Sequence, residues 1–326
     1  MILPAFRLHR PRSVEEALDR AGSCGDDFDY LGGGTDLLPN YKNRLNPKRH
    51  VIALWGAAGL GDLGDGSIGS MARLSQIEAD PGTRRRYAGL IEAVSQVATP
   101  LVRQQATLGG NLLVETRCYY FNQSLDWRAS KGYCMKADGD VCLVVPQKEV
   151  CYAAYSGDCA PVLLALDASF TIHGFHGPRE VKARDFFQPD GIRKNVMERG
   201  DLLTRVTLPA DAERYRCGYL KLRLRDSYDF PDAGVAVAVR TDGDMVEDLQ
   251  VAVGAVSMTP QMFPKITEPA RGERLTDGLI DQVAAGVAAA TQPVRNVMFP
   301  PQYRKRMVSV LTRRLLARLA GSGGAE

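Results

Sequence analysis

The sequence predicts an α+β chain of two domains, and three observations predict it. At 326 residues the chain exceeds the ~100–200 residues usual for one domain. Its composition, 45% hydrophobic and 24% charged, is ordinary for a globular protein and excludes collagen, coiled coil and a disordered chain. Short strand and helix signals follow one another along its whole length, and a hairpin then two helices close it. Such a chain can bury a large core without a disulfide or metal.

Charge and hydropathy narrow the function. With 41 Lys+Arg against 38 Asp+Glu, the net charge of +3 does not suggest a nucleic-acid binder. No apolar run reaches the ~18–20 residues that span a bilayer. The segment Met1–Arg7 meets charge and proline too soon to serve as a signal h-region, so a cytoplasmic, reducing location is expected. Seven cysteines, an odd number, also argue against a closed disulfide framework.

The elements follow in order. Phe6–Leu8 reads as a strand. Ser13-Val14-Glu15-Glu16 is a capping box that opens a helix. Further strands are expected up to Tyr30-Leu31 and over His50–Leu54, and a strand then a helix over 66–97 with Tyr87, Leu90, Ile91, Val94 and Val97 as the buried stripe. Residues 115–157 lack clean periodicity and are too long for an unsupported loop, so they need a cross-link, a ligand or a partner. Pro161–Leu166 reads as a short helix with proline at its first position. Strands are expected over Ser169–Ile172 and Asp201–Leu208. Gly218–Leu224 alternates Tyr219, Lys221 and Arg223 with leucines, the pattern of a half-buried strand. Val235–Val239 and Leu249–Val256 flank a turn at Asp242-Gly243. Helices are expected over 277–290 and 301–320, the last with Met307, Val310, Leu311 and Leu315 on one face, and the tail from Gly321 is expected to fray. A boundary falls near 210–217.

Several motifs carry little chemistry. Gly64–Gly69 matches GxGxxG, but the Asp65-Gly66 turn leads into a strand rather than a helix, so it reads as a hairpin. P-loop, HExxH, CxxC and GxSxG patterns are missing. His173 and His176 flank a surface turn. Two glycine loops stand out: Gly32-Gly33-Gly34-Thr35-Asp36 and Thr107-Leu108-Gly109-Gly110-Asn111. Consecutive glycines let backbone amides approach a phosphate closely, and each loop adds a threonine hydroxyl. One such loop is more often a plain turn, whereas two in one domain favour a dinucleotide's pyrophosphate.

Cys118, Cys134, Cys142, Cys151 and Cys159 fall within 42 residues. Three readings stand: buried free thiols, a zinc site and an iron–sulfur cluster. The gaps of 16, 8, 9 and 8 residues lack the paired spacing of structural zinc, while a cluster needs four thiolates and tolerates irregular gaps.

Leu31–Leu37 and Ala106–Leu112 resemble the two FAD-binding loops of the flavin subunit of molybdenum hydroxylases, the group of carbon monoxide and xanthine dehydrogenases. In matching order come Gly157-Asp158-Cys159-Ala160-Pro161, Leu202–Pro209, Lys221–Arg225, Asp229-Phe230-Pro231 and Tyr303–Arg314. The resemblance implies a two-part FAD-binding domain of the PCMH/vanillyl-alcohol-oxidase type over 1–212, and a C-terminal α+β domain, CO dehydrogenase flavoprotein-like, over 213–326. It implies that Leu31, Gly32, Gly33, Gly34, Thr35, Asp36, Leu37, Thr107, Gly110 and Asn111 hold FAD, that Asp158 bonds the ribose or a neighbouring polar group, and that Leu203 and Lys221 flank the flavin ring.

The insert at about 115–157 is similar to that of the 4-hydroxybenzoyl-CoA reductase type, which carries an additional [4Fe-4S] cluster. That implies Cys118, Cys134, Cys142 and Cys151 as ligands, with Cys24, Cys159 and Cys217 left as ordinary thiols. It also implies a partner with [2Fe-2S] clusters, a partner with a molybdenum cofactor, assembly as a dimer of heterotrimers, and a donor such as ferredoxin. The alternatives are an oxidative hydroxylase subunit with a structural insert, and a zinc-stabilised binding module.

Overall fold

The computed structural model describes residues 2–321; the tail from Ser322 lies outside the described residues. A small parallel sheet begins the chain: β1 (Arg7–His9), α1 (Val14–Cys24), β2 (Phe28–Leu31), α2 (Leu37–Lys42) and β3 (His50–Ala53), with strand order β1-β3-β2. Helix α1 starts where Ser13 accepts the Glu16 N–H at 3.1 Å. The Glu16 carboxylate reaches past Ser13 to the Arg12 N–H at 2.8 Å, one residue beyond the expected capping box.

Next come β4 (Leu63–Gly64) and β5 (Ser67–Gly69), a hairpin around Gly66 at φ +69°, so the GxGxxG match is a turn. Helices α3 (Leu74–Ala79), α4 (Pro81–Arg86), α5 (Ala88–Ser95), α6 (Pro100–Arg103) and α7 (Leu108–Leu112) follow. The expected single helix up to Val97 is thus broken. Pro81 begins a new helix that Asp80 caps through the Thr83 N–H at 2.7 Å, and Tyr87 leaves helical geometry at φ −132°. Tyr87, Leu90 and Val94 are buried, with Ile91 and Val97 partly so.

The insert holds one short helix among its described residues, α8 (Leu125–Ser130). Then α9 (Cys159–Ala165), β6 (Ser169–Gly174), β7 (Gly177–Lys182), α10 (Ala183–Phe186) and β8 (Leu202–Thr207) complete an antiparallel sheet of order β4-β5-β8-β6-β7. Pro161 sits third in α9, not first. That is tolerated because first-turn N–H groups have no intrahelical acceptor. Strand β7 was not expected; it doubles back on β6 at the turn between His173 and His176.

Finally β9 (Arg216–Leu222), β10 (Ala233–Asp242), β11 (Met245–Gly254) and β12 (Gln261–Met262) pair antiparallel in the order β12-β11-β10-β9. They are followed by α11 (Pro264–Thr267), α12 (Asp277–Ala290) and α13 (Pro301–Gly321). Side-chain alternation divides this sheet between two cores. Val235, Val237, Val239, Val251 and Val253 pack on α12 and α13, while Tyr219, Ala236, Ala238 and Ala252 join the core around α5 and α9. The polar side of β9 therefore turns inward, not to solvent as the alternation suggested: Tyr219 is 1% exposed. The buried face of α13 is Arg304, Val308, Leu311, Leu315, Leu316 and Leu319, with Met307 and Val310 only half-buried.

Candidate functional site

The two glycine loops meet. The first runs from the end of β2 into α2 through Gly34, whose φ of +74° suits glycine. A Cβ on Gly33 would collide with the backbone of Gln105, and one on Gly32 would lie 3.0 Å from Thr107 Oγ1. Glycine is thus what lets the first loop touch the segment entering the second. That second loop is not a free turn. Thr107 caps α7 by accepting the Gly110 N–H at 3.1 Å, and Gly109 packs too tightly on Ser70 for any side chain. Thr35 and Gly110 remain exposed. Leu31 is buried and Leu37 begins α2, packing in the same apolar cluster. Trp55, 58% exposed, donates its indole N–H to the Gly32 carbonyl at 2.6 Å; nothing in the sequence marked it.

The segment carrying Asp158 joins this cradle from beneath. The Asn111 carboxamide oxygen accepts the Cys159 N–H at 3.0 Å, and Gly157 passes too close to the Asn111 carbonyl to bear a Cβ. Asp158 itself is buried and accepts from Lys221 Nζ at 2.9 Å and from Tyr219 OH at 3.0 Å. Burial, only partly offset by Lys221 and Tyr219, raises its pKa. Its partner is a neighbouring polar group on β9, not an open binding surface. The Lys221 side chain is fully buried in the same pair, and Leu203, on β8, is 1% exposed in the main core.

The four insert cysteines line one small cavity with Tyr120, Phe121, Met135, Leu143, Val144 and Ala153. Each is held by its own backbone contacts. Arg117 and Ala154 exchange two 2.7 Å bonds beside Cys118, whose N–H donates to Asn122 Oδ1 at 2.9 Å. The Cys134 carbonyl accepts from Ala137 and Gly139 after a left-handed Gly132-Tyr133 pair, and Met135 donates to Val141 at 3.0 Å next to Cys142. Cys151 donates to Asp190 at 3.2 Å and accepts from Gly191 at 2.8 Å. Burial pushes the Cys118 thiol up to about 12 and Cys151 up to about 11.

Unrelated buried thiols have no reason to converge on one cavity. A lone zinc fits poorly. Zn–S bonds of ~2.3 Å put tetrahedral sulfurs about 3.8 Å apart, yet no three of these sulfurs lie within 4.8 Å of one another. A four-iron cluster takes four cysteine thiolates, the number this cavity offers. Cys159 and Cys217 are buried elsewhere in the main core.

A polar network links cradle and cavity. Asp36 accepts the Glu115 N–H at 3.1 Å and pairs with Arg117, so no free carboxylate repels an anion at the first loop. Glu115 pairs with Lys136 at 2.5 Å and Lys194 at 3.6 Å. Burial alone would raise its pKa, but the two lysines outweigh that and bring it down to about 2. Lys136 also bonds Thr116 and, at 2.7 Å, the Gly191 carbonyl, and it lines the cysteine cavity. Lys136 and Lys194 escaped the sequence reading; only the position of Lys136 two residues after Cys134 could have pointed to it.

The fold is that of a known class. Residues 4–211 match the FAD binding domain in molybdopterin dehydrogenase, and residues 219–319 match the CO dehydrogenase flavoprotein C-terminal domain. The chain belongs to this family of FAD-binding molybdopterin dehydrogenase subunits, and the expected α+β fold class holds. Among its relatives is the carbon monoxide dehydrogenase medium chain of Hydrogenophaga pseudoflava, 27% identical over 97% of both chains. Another is the aldehyde oxidoreductase FAD-binding subunit PaoB of Escherichia coli, 32% identical over 79% of this chain and 83% of that one. The solved carbon monoxide dehydrogenase from Hydrogenophaga pseudoflava superposes with a TM-score of 0.81 at 25% identity, covering 100% of both chains. No helix among the described residues is long and apolar enough to cross a membrane.

Proposed function

We propose that the chain is the flavin and [4Fe-4S] electron-transfer subunit of a molybdenum enzyme of the 4-hydroxybenzoyl-CoA reductase type. It would carry low-potential electrons from a donor such as ferredoxin toward partner subunits with [2Fe-2S] clusters and a molybdenum cofactor. The observation that carries this reading is the convergence of Cys118, Cys134, Cys142 and Cys151 on one apolar cavity beside the glycine cradle. FAD supplies a store for one or two electrons, and the iron–sulfur group passes one at a time.

The chain's own residues have separable tasks. The loops Leu31–Leu37 and Thr107–Asn111 would offer backbone amides and the exposed Thr35 hydroxyl to the pyrophosphate. Arg117 neutralises Asp36 there. Asp158 and Lys221 tie the floor of the cradle to β9. The apolar lining excludes water from the thiolates, and Lys136 supplies a buried positive charge beside them. Removing a phenolic hydroxyl reductively demands a strong reductant, and an extra low-potential group on the flavin subunit gives such a donor a way in. The same reading takes 1–212 and 213–326 as the two domains. Likeness to carbon monoxide dehydrogenase favours a second reading, an oxidative enzyme's flavin subunit with a structural insert.

Iron and flavin content of the purified chain, with EPR after dithionite reduction, tests both. One FAD and about four iron per chain are expected, and Cys134→Ser should lose the iron while keeping the flavin. Unchanged iron in Cys134→Ser would favour the structural insert, and a colourless protein holding stoichiometric zinc would sink the proposal.

A further inference from the structure

Away from the cradle and the cavity, one group of ligand-type side chains has no assigned role. His9 on β1, Cys24 at the end of α1 and His50 at the start of β3 bring one ligand atom each within 4.8 Å of one another. Nε2 of His9 lies 3.0 Å from Nδ1 of His50, and the rings stack with centroids 5.2 Å apart. We propose that these three side chains form a second metal site, separate from the four-cysteine cavity, for a divalent ion of the zinc class.

The donor set selects the ion. Two imidazoles and a thiolate suit zinc and its borderline-soft neighbours, while calcium and magnesium take oxygen. Zn–N bonds of ~2.0–2.1 Å and a Zn–S bond of ~2.3 Å hold tetrahedral ligand atoms about 3.3–3.6 Å apart. The imidazole nitrogens need only part by a fraction of an ångström, giving up the proton they share. All three residues are half-buried, so solvent reaches the fourth position.

The backbone holds the ligands ready. β1 and β3 are neighbouring parallel strands, with Arg7 opposite His50 and His9 opposite Ile52. The turn after Cys24 is tied to the third ligand. The Asp27 N–H donates to the Cys24 carbonyl at 3.2 Å, and the Asp27 carbonyl accepts the His50 N–H at 3.2 Å. The Asp27 carboxylate also accepts the Arg49 N–H at 3.0 Å. Cys24 ends an eleven-residue helix, and the negative end of its dipole favours a cation. Arg7 and Arg20 lie near enough to His9 to oppose one, and the thiolate charge offsets them. An ion held here would staple β1, α1 and β3, the frame from which β2 runs into the first glycine loop.

Equilibrium dialysis of the full chain against zinc, with bound metal counted by atomic emission, tests the site alongside melting with and without zinc. The wild type should bind one zinc more than Cys24→Ser, and His50→Gln should weaken that zinc by more than about tenfold. The metal-free melting temperature of Cys24→Ser should match wild type, and its zinc-induced rise should vanish. Should Cys24→Ser melt low without metal, His9→Gln with the thiol intact reads the same difference. Equal zinc content and equal melting shifts in wild type and variants overturn the proposal, as does a shared uptake seen only near millimolar zinc.

Discussion

Lys136 shows what a single residue contributes. Its side chain is 5% exposed, pairs with Glu115 and lines the cavity of the four cysteines. Reducing a cluster there adds negative charge in a low-dielectric pocket, which a buried cation stabilises. On the proposed iron–sulfur reading, Lys136→Met should therefore lower that cluster's reduction potential by roughly 60 mV or more, a tenfold change in a one-electron equilibrium being 59 mV. EPR-monitored redox titration reads this directly, and an unchanged or raised potential would contradict it. The cysteines stood out in the sequence because they crowd one aperiodic stretch, and the fold brings four of them to one cavity. Lys136, Lys194 and Trp55 did not stand out. Their roles come from segments such as Gly191 and Gly32 that meet only in the fold. The two glycine loops stood out in the sequence, but it did not show that Gly33 touches Gln105 or that Thr107 caps a helix.

Among the elements, α13 reaches further than its apolar stripe implies. Arg304, 0% exposed, donates to the carbonyls of Asp232 at 2.8 Å, Val294 at 2.9 Å and Ala255 at 2.5 Å, and to Asn296 Oδ1 at 3.1 Å. Asn296, equally buried, donates to the Tyr152 carbonyl at 2.6 Å, and its own carbonyl accepts the Tyr119 N–H at 2.7 Å. The C-terminal helix is thus latched to both ends of the cysteine insert, next to Cys118 and Cys151. Asn296→Ala should loosen that latch and lower iron content while leaving flavin content near wild type, measured on the same preparation. Loss of both together would mean that the latch supports the whole molecule instead. Helical spacing identified α13, but it could not show an arginine on the buried face. Periodicity arguments take charge as a mark of solvent, and this guanidinium is satisfied by carbonyls just before β10, just after β11 and in the chain before α13.

At the scale of the whole molecule, two ionic features set how stability responds to mutation and to pH. The Asp158–Lys221 pair joins α9 to β9, and removing one partner strands the other charge in the core. Asp158→Leu should cost about 3–5 kcal/mol, and Asp158→Leu with Lys221→Met should recover part of that, since the orphaned ammonium goes too. Denaturant midpoints of the single and double variants measure it, and a double variant no more stable than the single would refute the pair's role. Asp232, just before β10, governs a pH response. Burial raises its pKa to about 6, with Arg304 opposing and Asp229 adding, against 3.8 for the ordinary carboxyl. Between these values the folded chain holds a proton that the unfolded chain has released. Stability from this group is thus fullest below about pH 4, falls as pH rises to about 6, and is flat above. Asp232→Asn carries no titrating proton, so its melting temperature should lack that decline while the wild type shows it. Parallel profiles for the two proteins across pH 4–6 would show that Asp232 is not the group responsible.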